Sequence, residues 1–218
     1  MGMKNKNLYF IHELAMNAFQ SILKIEGQCF GQLNRSFFGM SDGVDGVQWN
    51  IAISRDTNEA YVGINLEGKA YDNWPISKFI LSELKEPTIE KIKSICAGDI
   101  IIRFTRDAWQ ITSRPAIDEE FIGGKKHILS ECDTESWKCI LIEALKCLNK
   151  ERNYLGRATQ VVTLKRKPKN GEQIREMQVS PHLTICSALY LEGDVTGNIQ
   201  KAIEELQPVH DWVSKLVK

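Results

Sequence analysis

The chain has 218 residues, 43% hydrophobic and 26% charged, and its 28 basic side chains are balanced by 28 acidic ones. That balance excludes a surface built throughout for phosphate backbones or anionic membranes, while leaving room for a local basic patch. No apolar run approaches the roughly 20 residues needed to cross a bilayer, and Met1 to Lys6 lacks the apolar stretch and cleavage site of a secretory signal, so no membrane partner and a cytoplasmic location are expected.

Leu8, Ile11, Ala15, Phe19 and Ile22 recur at helical spacing and Gly27 follows as a stop, which predicts a first helix over 7–26. A glycine-punctuated stretch over 31–46 reads as loop, with a short strand as the alternative within it. Residues 47–54 then alternate, with Val47, Trp49, Ile51 and Ile53 on one face, and 60–66 alternate again through Val62, Ile64 and Leu66. Two such runs around the short polar Arg55-Asp56-Thr57-Asn58 predict an antiparallel hairpin. Asn73 or Trp74 is expected to cap a helix with Pro75 in its first turn, and Pro87-Thr88 to restart a second one that Gly98 closes.

Ile100–Phe104 and Trp109–Thr112 read as a further hairpin around Arg106-Asp107. Asp133 or Thr134 starts a helix whose Trp137, Ile140, Leu141, Ala144, Leu145 and Leu148 form a one-sided stripe. Strands at 159–166 and 173–179 are joined through Asn170-Gly171, a strong turn signal. After Pro181, residues 182–191 read as a separate strand. The chain ends in an amphipathic segment, Ile199 to Leu216, that Pro208 should kink or split.

Helices and hairpins alternate without a repeated strand–helix–strand rhythm. The expected class is therefore α+β, a mostly antiparallel sheet built from hairpins and packed against several amphipathic helices. A single domain over 1–218 is expected, with the irregular stretch 114–130 as the candidate boundary.

The six cysteines (Cys29, Cys96, Cys132, Cys139, Cys147, Cys186) contain no C-x-x-C and no zinc-site spacing, and read as reduced thiols in a cytoplasm-like compartment. His182 and Cys186 form a conceivable base–nucleophile pair, but no third group orients it; an inert core thiol is the plainer reading.

Glu67-Gly68-Lys69 ends an apolar strand, and Gly43-Val44-Asp45-Gly46 precedes the strand before it. An acid followed by Glu-x-Lys on a strand pair resembles the metal-dependent nucleases of the PD-(D/E)xK class, as does the order helix, strand, strand, helix, strand over 7–104. That resemblance implies Mg²⁺ held by Asp45 and Glu67, neutralising the scissile phosphate and acidifying a water that Lys69 orients. It covers under half of the chain, and Val rather than Pro precedes Asp45.

Joining Ser54 to Glu59 makes paired residue numbers sum to about 113, which brings Asp45 opposite Gly68 at roughly 5 Å. Strict alternation would then put Asp45 on the core face and Glu67 and Lys69 on the polar face. A bulge or twist near Gly46 is needed to bring them together. A strand end with solvated charges is the bland alternative.

Lys165, Arg166, Lys167 and Lys169 make a basic hairpin tip, a candidate nucleic-acid contact that Arg103, Arg106 and Arg114 would extend if the nuclease reading holds; charges protecting a strand edge are the commoner meaning. His182-Leu183-Thr184 resembles one His-x-Thr element of the two-histidine phosphoesterases. That family needs two such elements, and His12, His127 and His210 supply no second. No phosphate-cradling or dinucleotide glycine motif is present. The five tryptophans read as packing residues.

Three functions stay open at this point. The first is a Mg²⁺-dependent nuclease or phosphodiesterase. The second is a non-enzymatic interaction or regulatory protein binding a partner or a second copy of itself through a hairpin edge or the C-terminal helix. The third is a small-molecule binder.

Overall fold

A computed structural model describes residues 3–30, 37–44, 46–67, 75–96, 98–108, 126–148, 158–165 and 172–218. The chain is α+β. Helix α1 (Met3–Leu23) leads into the strands β1 (Gln28–Phe30), β2 (Phe37–Ser41), β3 (Val47–Ser54) and β4 (Glu59–Glu67). Helices α2 (Pro75–Lys85) and α3 (Ile89–Lys93) follow, then β5 (Ile100–Ala108), β6 (His127–Ile128), a 3₁₀ turn and α4 (Thr134–Leu148). Strands β7 (Ala158–Lys165) and β8 (Glu172–Tyr190) and helix α5 (Val195–Leu216) complete the chain.

The eight described strands form one sheet in the order β1-β2-β3-β4-β8-β5-β6, with β7 added on β8, and every pairing is antiparallel. Val47↔Leu66, Ile51↔Val62 and Ile53↔Ala60 fix the β3–β4 register. This is the register that the short 55–58 loop demands. It puts Ile51, Ile53, Ala60, Val62, Ile64 and Leu66 on one fully buried face, continued by Leu183 and Ile185 of β8 and Ile102 and Phe104 of β5. Alternation thus sets the register, since a one-residue slip would turn the whole apolar set to the other side.

The helices cover this face. Helix α5 packs on β3, β4 and β8 and against α1, α2 and α3. Its stripe Ile199, Ala202, Ile203, Leu206, Val209, Trp212 and Val213 is buried. One cluster of buried side chains runs from Ala15 to Val213 and draws on residues either side of 114–130. Among the described residues no helix is long and apolar enough to cross a membrane.

Three local expectations are corrected. Strand β5 does not turn at Arg106-Asp107 but runs on to Ala108, because Pro181, Ser180 and Val179 of β8 supply register partners that no local hairpin offers. Strand β8 is continuous through Pro181. On one side of β8 the described β7 ladder ends at Val179 and the described β4 ladder begins at His182, so among the described residues Pro181 falls in a gap where a missing N–H forfeits no bond. Helix α5 runs on through Pro208, so of the two expected outcomes, a kink or a split, the split does not occur. Buried side chains on both sides of that proline outweigh its one lost hydrogen bond and ring clash, a cost of about 3 kcal/mol.

Candidate functional site

The second face of the sheet is where the chain departs from a simple layered core. Gln48, Asn65, Thr184 and Arg103 are register partners in one line across β3, β4, β8 and β5. Gln48 and Asn65 are buried, and Asn65 Oδ1 has no hydrogen-bond partner among the described residues. A buried acceptor left alone costs about 1–3 kcal/mol, so a polar line here needs a reason.

One step further along the strands, Glu67 closes β4 opposite His182, with Thr105 of β5 as the next partner. In the other direction Asn50, Gly63, Cys186 and Ile101 form the adjacent line. Lys126 Nζ lies 5.3 Å from the Tyr61 ring centre, placing a cation on this face. Burial pushes the Cys186 thiol up to about 12, against the opposing pull of Lys126 and Arg103. A thiol so raised is protonated at neutral pH and is no nucleophile. His182 and Cys186 also sit four residues apart on one extended strand, about 13 Å, beyond hydrogen-bond reach.

The loop before β3 is pinned by its own side chains. Asp42 Oδ1 accepts from Val44 N and Oδ2 from Trp49 N, both at 3.1 Å, and Gln48 Nε2 donates to Val44 O at 2.7 Å. At Gly46 the backbone has φ +105°, a conformation that side chains disfavour. Continued by one residue, the β3–β4 register sets Gly46 against Glu67. Behind the loop, His210 of α5 stacks on Trp49 at 4.9 Å and 9°. Burial lowers its pKa, while Asp211 and Asp42 pull the other way.

Of the residues singled out from sequence, Glu67 and Lys165 are the terminal positions of β4 and β7, and their backbone register partners are His182 and Glu172. Asp45, Lys69, Arg166, Lys167 and Lys169 lie outside the described residues. The line Gln48–Asn65–Thr184–Arg103 was not singled out, although its first pair was legible: 48 and 65 satisfy the same register as the core pairs.

The donor types at this end suit a hard divalent cation. Glu67, Asn65, Gln48 and Thr184 all carry oxygen, and the orphaned Asn65 Oδ1 is an available acceptor. Among the described residues no three His, Cys, Asp or Glu cluster as a metal site. Mg²⁺ is commonly held by one or two carboxylates together with waters and substrate phosphate. Comparison with protein-family models, with curated proteins and with solved structures finds no match to this chain.

Proposed function

We propose that the Glu67 end of the second sheet face binds a phosphodiester and cleaves it with the help of a divalent metal ion. The observation that carries this reading is Gly46. It lies one residue beyond the paired Val47 and Leu66, and its φ of +105° favours the break in alternation that bringing Asp45 and Glu67 to one site requires. The buried Asn65, one step from Glu67 along β4, supports it, because its Oδ1 has no partner among the described residues and such an acceptor is costly in a purely structural face.

In this reading Asp45 and Glu67 hold Mg²⁺, which when bound neutralises charge on the phosphate and makes a water more acidic. Lys69 donates a hydrogen bond that orients the attacking water. Arg103 pairs with phosphate oxygens through its planar fork of N–H donors. Thr184 and Asn65 hold the polar atoms flanking the phosphate.

The test is a melting curve with and without Mg²⁺ or Mn²⁺. At a hundredfold excess over Kd a bound ion stabilises by about 2.7 kcal/mol, or roughly 5–10 °C for a chain of this size. The rise is expected in the native protein and not in Glu67→Ala. Equal shifts in both, or none in either, overturn the proposal.

A second reading, a non-enzymatic partner-binding protein, is favoured by the sheet edge at β1. All three residues of that strand are exposed, and Phe30 stands open there, as does Phe37 on the neighbouring β2. The apolar stripe of α5 is spent inside the chain, so the edge is the route this reading retains. It expects indifference to metal and a sedimentation coefficient that rises with concentration.

A further inference from the structure

Strand β8 outlasts its neighbour β5 at its C-terminal end. Strand β5 begins at Ile100, opposite Ser187, whereas β8 runs on to Tyr190 and stays paired with β4 as far as Glu59↔Tyr190. Just before β5 the chain turns aside at Gly98, where φ is +107° and Ile100 N donates to Gly98 O at 3.1 Å. Leu191 N donates to Asn58 O on the β4 side, and main-chain groups alternate sides along a strand. The N–H and C=O of Tyr190 therefore point away from β4, and among the described residues no main-chain group pairs with them.

A groove of about 360 Å³ opens on this free edge. One side is Ala188 to Tyr190 of β8, the other is Asn198, Lys201 and Glu205 of α5, and Glu192 lies in the turn between. The α5 side is held in place: Asp194 caps the helix by accepting from Gly197 N at 3.0 Å, and Asn198 Nδ2 donates to Glu192 O at 3.2 Å. A Cβ added at Gly98 would lie 3.6 Å from Glu205 Oε2, so the turn before β5 adjoins the groove at Glu205.

Charge indicates what fits. Glu192 and Glu205 line the groove and exposed Asp99 stands in the turn before β5, against Lys201, whose Nζ is already drawn to Glu205 Oε1 at 3.8 Å. The groove is thus acidic in a chain that is balanced as a whole. Tyr190, 65% exposed, adds an aromatic ring of the kind that attracts cations. An unpaired strand edge takes up a further strand, with main-chain bonds supplying affinity and alternate side chains specificity. We propose that the Tyr190 end of β8, with the first turns of α5, receives an extended segment of a partner protein that carries basic side chains. The segment lies where β5 would have continued, exchanges main-chain bonds with Tyr190 and sets a lysine or arginine against Glu192 and Glu205. This site is about 26 Å along the β4–β8 pair from Glu67 and does not rest on the phosphodiester reading.

The experiment is fluorescence anisotropy with a labelled peptide in which lysine alternates with threonine, beside the same peptide with glutamate for lysine and a third with methylated main-chain nitrogens. The native chain is expected to bind the lysine peptide saturably and the other two at least about threefold more weakly. The double variant Glu192→Gln/Glu205→Gln should bind the lysine peptide about threefold or more weakly. Lys201→Ala, which removes a like charge and frees Glu205, should bind it about twofold more tightly. Glu192 and Lys201 are exposed and Glu205 is half-buried, and circular dichroism checks that each variant is folded. Glu67→Ala should bind the peptide like the native chain, so loss of the metal response alone sinks the catalytic reading and leaves the groove standing. No saturable binding of the lysine peptide, equal binding of the methylated one, or unchanged affinity in the folded glutamine variant overturns the proposal.

Discussion

Glu83 offers the most direct test of how the helical layer is held together. Its carboxyl group is fully buried on α2. Oε2 accepts from Trp137 Nε1 at 2.9 Å and from Thr88 N at 3.2 Å, and Oε1 accepts from the Thr88 hydroxyl at 2.6 Å. That hydroxyl oxygen in turn accepts from Trp212 Nε1 at 2.6 Å. One side chain thus ties α2 to the start of α3, to α4 and, through Thr88, to α5. Glu83→Ala would leave the buried Trp137 indole and the half-buried Thr88 amide without acceptors, each costing up to about 1–3 kcal/mol. The vacated volume adds to this, and release from burying a carboxyl group subtracts.

A net loss of about 3–5 kcal/mol is expected, or a melting point lower by roughly 6–20 °C for a chain of this size. Urea denaturation followed by tryptophan fluorescence measures it. Glu83→Gln keeps one acceptor oxygen but turns an amide N–H toward existing donors, and should fall between. A double-mutant cycle with Trp137→Phe should return a coupling of at least about 1 kcal/mol. A loss below about 1 kcal/mol for Glu83→Ala, with an unchanged denaturant slope, would refute the network as the tie between these helices.

Two further outcomes follow from burial and close packing. Burial lowers the pKa of both His12 and His210 from 6.5, so the unfolded chain binds these protons more readily than the folded one. Stability is then complete above 6.5 and falls as pH drops through that value toward the folded pKa values. The urea midpoint should be lower at pH 5.5 than at pH 7.5, and His210→Phe, which keeps a ring against Trp49, should flatten part of the fall; a midpoint that rises on acidification contradicts the burial argument. At Gly63 an added Cβ would lie 2.5 Å from Cys186 Cβ and 2.6 Å from Ile185 O. Gly63→Ala must push β4 and β8 apart, at about 1–3 kcal/mol of stability, and an unchanged melting point would show that the two strands do not approach so closely.

Local periodicity carried the parts of the fold that are local. The β3–β4 hairpin is legible because a four-residue polar loop and two alternating runs leave one register that buries all the apolar residues. Helix α4 is legible from its stripe and from Asp133, whose Oδ1 accepts from Ser136 N at 2.7 Å while its own N donates to Ser136 Oγ. What stayed hidden depends on partners far away in sequence. Strand β5 extends past Arg106 only because β8 waits some 70 residues downstream, and β8 survives Pro181 only because two different ladders meet there. The same holds for the candidate site. Glu67 and a special backbone at Gly46 were within reach of sequence reasoning, whereas Thr184 and Arg103 join Gln48 and Asn65 only once β8 is inserted between β4 and β5.

Asn65 separates a functional explanation of that polar line from a structural one. Gln48 has a local task, holding the carbonyl of Val44, so its burial is accounted for without any ligand. Among the described residues Asn65 Oδ1 holds nothing, yet Asn65 is only 8% exposed. If the line existed for stability, replacing Asn65 would break something. If it exists for a ligand, the folded chain carries its cost at rest, and a residue of similar size without the amide should fold better. Valine, at home in a central strand, is the sharper choice. Asn65→Val is expected to gain about 1–2 kcal/mol of stability while weakening phosphate or DNA binding. Greater stability with unchanged binding would take Asn65 out of the site, and lower stability would make the line a structural element of the sheet.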